Sequence, residues 1–355
     1  MPTITELKYS FLTPAINEMK SPNQFLKRLL FGNHVTLPTE DIELSVLTKA
    51  RETAPFVRKN GEGIMVAGHG ETFQTVTAPH IRIKRPFTPS ELLYNRRPGT
   101  TIFTTGRQSR SALRQHVNRD LQVMADLITN SEEWLCAQAL QGVIQYQVAD
   151  QEVFTITFPR PAGNDITLTA ARSWDNADPS LPRPLQDVHT VKRILSDEVG
   201  LQPTDAICGI NAANALLNLA ESGNLPAFKT DSGVATGTIT FVEQFNEDGA
   251  IFLGTMGGVR FWEYSRTVLH VGVSTSLIRD DYVEFVSRSA GAQRVLYYGA
   301  IPDMRAINAT LAQTERFSKS WEVEDPSAQI ALAASRPLPV PRRPGAMVSM
   351  KVTNN

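Results

Sequence analysis

The chain has 355 residues, 41% of them hydrophobic and 20% charged, with a formal net charge of −1. That is enough apolar material for a substantial core in one or two domains, and near-neutral charge excludes any global drive onto nucleic acid or an anionic membrane. No run approaches the roughly 18 apolar residues of a membrane-spanning helix, and Met1-Pro2-Thr3-Ile4-Thr5-Glu6-Leu7 has neither the basic nor the apolar region of a signal peptide.

The chain opens on segments that look unable to fold alone. Residues 22–31 predict a short amphipathic helix, with Ser21 as cap, Pro22 in the first turn and Gly32 as stop. Phe25, Leu26, Leu29 and Leu30 share one face. A strand follows at 40–48, after Pro38 forces extension. Ile64-Met65-Val66-Ala67 and Phe73-Gln74-Thr75-Val76 flank the turn Gly68-His69-Gly70 and predict a hairpin, and Ile81-Arg82-Ile83-Lys84-Arg85 alternates apolar with basic. Such edges and apolar faces need cover from another chain, so this excursion is expected to lie on a neighbouring subunit.

Residues 110–146 carry the longest helical pattern, in which Thr129-Asn130-Ser131 marks a place to bend or divide. A hairpin is expected from Val153-Phe154-Thr155-Ile156-Thr157-Phe158 returning through Ile166-Thr167-Leu168-Thr169. Past the stiff connector Pro179-Ser180-Leu181-Pro182-Arg183-Pro184 the rhythm becomes α/β. Helices are predicted at 185–199 and 211–222, each stopped by glycine, around a buried strand at 206–210. Further strands are expected near 236–245, 250–254, 258–264, 267–273 and 282–287. Two last strands, at 330–334 and 347–352, flank a Pro/Arg loop. Cys136 falls in a helical pattern and Cys208 in a strand. Both read as small buried hydrophobes, and two cysteines suit a reducing cytosol better than a disulfide framework.

Catalytic and ligand-binding motifs are missing. There is no phosphate-binding G-x-x-x-x-G-K-[ST] loop and no G-x-S-x-G elbow. Gly61-Glu62-Gly63 lacks the third glycine of a dinucleotide loop. The six histidines are scattered, without metal-ligand spacing. Glu132-Glu133 reads as solvated helix surface, Asp280-Asp281 as a turn, and Asn246-Glu247-Asp248-Gly249 as a hairpin turn rather than a calcium loop. No catalytic, cofactor-binding or metal residue is assigned, and no cofactor is expected. The basic residues Arg82, Lys84, Arg85, Arg96, Arg97, Arg107, Arg110, Arg114 and Arg119 admit two readings. Pairing with acidic groups of neighbouring subunits is preferred over nucleic acid, because aromatic residues are not interleaved among them.

The order of these parts resembles the major capsid proteins of tailed phages, the Hong Kong 97 type of fold, and the lambda-type member most. The resemblance is carried by Phe25-Leu26-Lys27-Arg28-Leu29-Leu30-Phe31, Thr39-Glu40-Asp41-Ile42-Glu43-Leu44, Ala54-Pro55-Phe56-Val57 leading to Ile81-Arg82-Ile83-Lys84, and Ser173-Trp174-Asp175. Tyr298-Gly299, Lys319-Ser320-Trp321-Glu322-Val323 and Ser335-Arg336-Pro337-Leu338-Pro339-Val340 complete it. It runs from about residue 22 to 352.

The resemblance implies an α+β capsid fold. Residues 1–50 would be an N-terminal arm and 51–92 an extended loop. Residues 93–184 would form a peripheral domain with a spine helix at about 110–146 and a β-hairpin at about 153–170. Residues 185–305 would form an axial domain, and 306–355 would return to the peripheral sheet. It further implies a non-enzymatic shell protein of the virion, assembled in the bacterial cytoplasm into hexamers and pentamers around double-stranded DNA, and expanding on maturation. Expected partners are other copies, a separate scaffold, a portal, in some relatives a decoration protein, and DNA by nonspecific contact only. No matching catalytic carboxylate accompanies Lys59, so a covalent crosslink is not expected. Expected inter-subunit contacts are Phe25, Leu29, Phe31, Ile42, Leu44, Ile64, Val66, Phe73, Arg82, Lys84, Arg85, Arg110 and Arg114. The alternative is an encapsulin-like nanocompartment shell; an enzyme with a dispersed site is a third class.

Overall fold

The computed structural model describes residues 9–19, 24–47, 71–87, 106–147, 152–222, 228–229, 249–270, 272–289, 293–308, 311–325 and 328–354. The chain begins with helices α1 (Tyr9–Glu18) and α2 (Phe25–Leu30), then strands β1 (Asn33–Thr36), β2 (Asp41–Leu47), β3 (Glu71–Thr77) and β4 (Ile81–Phe87). The longest element, α3 (Gly106–Gln141), has 36 residues and is about 50 Å long at ~1.5 Å per residue. After it come β5 (Val143–Gln147), β6 (Val153–Thr157), β7 (Asp165–Thr167), α4 (Pro184–Glu198), β8 (Asp205–Cys208), α5 (Ile210–Glu221) and β9 (Phe228–Lys229). Strands β10 (Ile251–Met256), β11 (Val259–Glu263), β12 (Thr267–His270), β13 (Val273–Ser276), β14 (Tyr282–Val286) and β15 (Arg294–Tyr298) follow. Helix α6 (Met304–Asn308) precedes β16 (Arg316–Val323), β17 (Ala328–Ser335), β18 (Pro337–Pro341) and β19 (Met347–Lys351).

The α/β region forms a seven-stranded sheet in the order β7-β19-β14-β8-β11-β10-β9. Strand β8, buried along its whole length, runs parallel to β11 and antiparallel to β14. Val188, Val191 and Leu195 of α4 and Ala212, Leu216 and Leu219 of α5 pack with Phe261, Phe285 and Met350 in one core. Each large apolar side chain so buried contributes about 1.5–3 kcal/mol. Gly209 makes the turn from β8 into α5 possible, since a Cβ there would lie 2.2 Å from the Arg279 carbonyl oxygen. Both cysteines are buried and free, on α3 and β8 as expected, and burial pushes both thiols up. The last strand departs from expectation. β19 lies inside this sheet, between β14 and β7, rather than returning to a separate one.

A second sheet has the order β16-β17-β4. Residues 81–87 therefore belong to the subunit's own sheet, where β4 pairs antiparallel with all but one residue of β17, and not to a flap on a neighbour. Strand β3 pairs with β2 of the arm. The expected partner at residues 64–67 and its turn at 68–70 lie outside the described residues, as do Asn246-Glu247-Asp248, Lys59 and the whole of the predicted strand at 236–245.

Helix α1 falls where no element was predicted, and it holds Pro14, a residue type that usually breaks a helix interior. Pro14 is exposed, and Leu12 and Ile16, one turn apart, pack on Leu121, Met124 and Ile128 of α3 and on Ala331 and Ala333 of β17. Helix α3 is not divided at residues 129–131. The Thr129 and Ser131 hydroxyls donate back to the Ala125 and Leu127 carbonyls at 2.9 and 3.0 Å. It ends earlier than predicted, at Gly142, whose φ of +87° is left-handed. The next residues form β5, which pairs with β6. The hairpin at 153–158 thus has its partner before it. The strand predicted at 166–169 appears as β7, parallel to β19. Pro159, Pro161 and a 3₁₀ turn at Ala162–Asn164 carry the chain there, and the buried Asn164 side chain donates to the Gly345 and Met347 carbonyls.

A third sheet, β1-β15-β18, carries three prolines in its outer strand. Pro337, Pro339 and Pro341 alternate, so the missing N–H groups fall on one side of the ladder. An edge strand tolerates this.

Candidate assembly surface

Helix α2 is fastened to α3 by charged groups in a closed interior. The predicted cap Ser21 and first-turn Pro22 lie outside the described residues; Gln24, which precedes α2, supplies no side-chain cap, so the helix's first donors look elsewhere. The backbone N–H groups of Leu26 and Lys27 donate to the Glu133 carboxylate at 2.6 and 3.1 Å. The Tyr264 hydroxyl donates to the same carboxylate at 3.0 Å. Burial pushes Glu133 up to about 7, against the pull of these three bonds.

Glu132 next to it accepts Lys27 Nζ at 2.8 Å, Arg316 Nη2 at 3.1 Å and the Tyr298 hydroxyl at 3.3 Å. Arg316 also donates to Thr129 Oγ1 at 2.9 Å. The expectation that Glu132-Glu133 is solvated surface is therefore corrected: both are 0% exposed. Adjacent helix residues do point apart, but α2 covers one direction and β15 and β16 the other, so both directions are interior.

The arm's apolar side chains are spent inside the subunit. The Phe25 ring lies 5.6 Å from that of Trp262 and 5.2 Å from that of Tyr264. Phe25, Phe31 and Ile42 join Leu135, Leu140, Leu296 and Leu338 in one buried cluster. These three expected inter-subunit contacts have no surface left to offer. Leu29 is half-buried against the cluster. Arg82, Lys84 and Arg85 are exposed on β4. Arg82 reaches Asp303 at 4.0 Å and Arg85 reaches Asp120 at 3.3 Å, both within the chain. Ile64 and Val66, and the side chains of Leu44, Phe73, Arg110 and Arg114, lie outside the described residues.

Exposed apolar groups cluster elsewhere, on elements the sequence reading did not single out. The two-stranded β12–β13 hairpin presents Leu269, 77% exposed, and Val273, 65% exposed. The β5–β6 hairpin presents Val153 and Phe154, and α6 presents Met304 and Ile307. Between α3 and β12 lies an opening of about 240 Å³, lined by Leu127, Val268, Leu269 and the stacked pair Trp134 and His270, whose rings are 4.2 Å apart. The available signal was the short apolar run Val268-Leu269 beside Gly272, in strands too short to bury both faces. Among the described residues no group of histidines, cysteines or carboxylates could hold a metal, and no helix is long and apolar enough to cross a membrane.

A long helix lying across strands from both chain halves, an α/β sheet completed by the final strand, and hairpins that present apolar side chains to solvent make up the tailed-phage capsid fold. The chain belongs to the phage major capsid protein E family, whose family model matches residues 9–352. It is similar to the major capsid protein of enterobacteria phage P21 and to the P21 prophage-derived major head protein of Escherichia coli CFT073. Each is 24% identical over 341 residues, covering 91% of this chain and 92% of the relative. A solved prophage capsid protein structure from E. coli CFT073 superposes with a TM-score of 0.73 at 17% identity, covering 98% of this chain and 99% of the other. A phage-related protein from Bordetella bronchiseptica RB50 superposes with 0.52 at 13% identity, covering 96% of each. The chain is thus a structural protein of the phage head and part of the virion, not an enzyme.

Proposed function

We propose that copies of this chain close an icosahedral shell of hexamers and pentamers around double-stranded DNA, and that the shell expands on maturation. The observation that carries this reading is the family match across residues 9–352. Heterologous contacts form rings only when the rotation closes, and slightly different angles serve five and six neighbours. The apolar side chains that the hairpins present to solvent suit that task, since they take no part in the subunit's own cores. Residues 185–305 act as the axial part, α3 as the spine, and the part of 51–92 other than β3 and β4 as the loop over the adjacent subunit. Leu29, Arg82, Lys84 and Arg85 remain contact residues, with Leu269, Val273, Val153 and Phe154 added to them. Many modest contacts sum as avidity.

In this reading a separate scaffold directs assembly, a portal occupies one vertex, and DNA meets the inner wall by nonspecific phosphate contact; the decoration protein that caps the expanded lattice in some relatives is not required by it. The test is electron microscopy and sedimentation of the recombinant chain, alone and with the scaffold candidate. Closed shells of uniform diameter, or free hexamers and pentamers, are expected. A chain that stays monomeric at high concentration in both arms ends the reading.

A further inference from the structure

The two feet of the β2–β3 ribbon are held by one side chain. Glu40 immediately precedes β2, and Ala78 immediately follows β3. Arg336, 3% exposed between β17 and β18, grips both. Its Nε and Nη2 donate to the Ala78 carbonyl at 3.4 and 3.1 Å. Its Nη1 lies 3.0 Å from Glu40 Oε2 and donates to the Ala300 carbonyl, in the body of the subunit, at 3.1 Å. The Arg336 backbone is itself fixed, since its carbonyl accepts the Gly299 N–H at 2.9 Å. The feet pack closely there: a Cβ on Gly299 would lie 3.3 Å from the Ala78 Cβ and 3.4 Å from the Glu40 carbonyl oxygen. Thr39-Glu40-Asp41, Tyr298-Gly299 and Ser335-Arg336-Pro337 are far apart in the sequence and converge on this guanidinium.

Among the described side chains of the ribbon, Ile42 and Val76 are the buried ones, and they pair across the two strands. Their burial holds the ribbon's base, but apolar contact has no direction. A guanidinium does, because its N–H groups lie in one plane at fixed angles and its charge strengthens each bond. Bonds from that plane to two feet and to the body therefore fix an angle as well as a place. The Ala300 N–H tethers the first foot further, donating to the Thr39 carbonyl at 2.9 Å.

We propose that Arg336 is a positioning residue for assembly, which sets the direction in which β2 and β3 leave the subunit. Residues 51–70, between these strands in sequence, belong to the loop assigned above to the adjacent subunit, and the inference rests on that reading. The Glu40 side chain is 54% exposed, so this clamp can be loosened there without opening the core.

The test places nitroxide labels on Thr75→Cys in the ribbon and His189→Cys on α4, both exposed, in the full chain, whose own two cysteines are buried. Unassembled subunits should give one narrow distance distribution by double electron–electron resonance. Arg336→Lys keeps the charge, loses the planar grip and widens that distribution about twofold or more. If this variant fails to fold, Glu40→Gln decides, since it frees the foot ahead of β2 and widens the distribution in the same way. An arginine that served stability alone would lower the melting temperature and leave the distribution as it was. An unchanged distribution in a folded variant thus overturns the assignment. Shell diameter is the second readout. Glu40→Gln should give shells of mixed diameter where wild type gives one, and uniform shells from a variant with a widened distribution would overturn the role in assembly. Wild type that forms no shells counts against the shell reading alone, because the distance measurement needs no assembly.

Discussion

The α2 junction and the β12–β13 hairpin start from similar material and end in opposite places. Each offers a short run of apolar side chains on an element too small to bury them itself. At α2, Phe25, Leu26 and Phe31 vanish into the subunit's core. On the hairpin, Leu269 and Val273 stand in solvent. What separates them is polar support from far along the chain. Glu132 and Glu133, more than a hundred residues away, receive the Lys27 ammonium and the first N–H groups of α2. An apolar run near the start of a chain does not reveal whose core it will enter; a buried carboxylate aimed at its helix does.

The sharpest way to break the contrast is Glu132→Ala. It strands the Lys27 and Arg316 cations in a closed interior, where losing one partner costs about 3–5 kcal/mol. Urea denaturation of the subunit should show that loss. A variant within about 1 kcal/mol of wild type would mean that the network does not hold α2.

Next in size is a pH effect through Glu133. Folded, it titrates near 7, and unfolded near its ordinary value of 4.5. Between these values the folded chain keeps a proton that the unfolded chain has lost. This contribution is therefore whole below about pH 4.5, falls as pH rises through the window, and is gone above about 7. The difference is about 3 kcal/mol. Denaturation at pH 5 and pH 8 should show wild type losing more stability than Glu133→Gln; equal losses would refute the assignment.

Leu26→Ala removes a fully buried side chain and should cost about 2.5 kcal/mol. The paired change Leu269→Ser with Val273→Ser should alter subunit stability by no more than about 0.5 kcal/mol, yet lower the yield of closed shells counted in micrographs. Normal shell yield would remove the hairpin from the assembly surface.

Much of the α/β region was legible. Helices α4 and α5 and strands β8, β10, β11 and β14 have clear periods, and Gly200 and Gly209 lie at their turns. The motif residue Trp174 also found its place, fully buried with its Nε1–H donating to Asp187 at 3.1 Å. What escaped was governed by distant partners. β18 carries three prolines and reads as loop, yet β15 supplies its ladder. β5 looked like the end of a helix until Gly142 turned it toward β6. β7 looked like a hairpin return, but its neighbour is β19, nearly two hundred residues on. Glu132 and Glu133 carry no local mark of burial, because what covers them comes from both halves of the chain.

The place of β19 has a consequence for timing. β7 and β14 have no neighbour between them until residues 347–351 have been made. At ~5–20 residues per second a ribosome needs on the order of ten seconds or more to travel from β7 to β19. During that interval the sheet stays split and its apolar face unsealed, so nascent chains crowded on one message are exposed to mispairing. A subunit becomes fit to join its neighbours only after its last strand has slotted home, which keeps unfinished polypeptides out of the growing lattice.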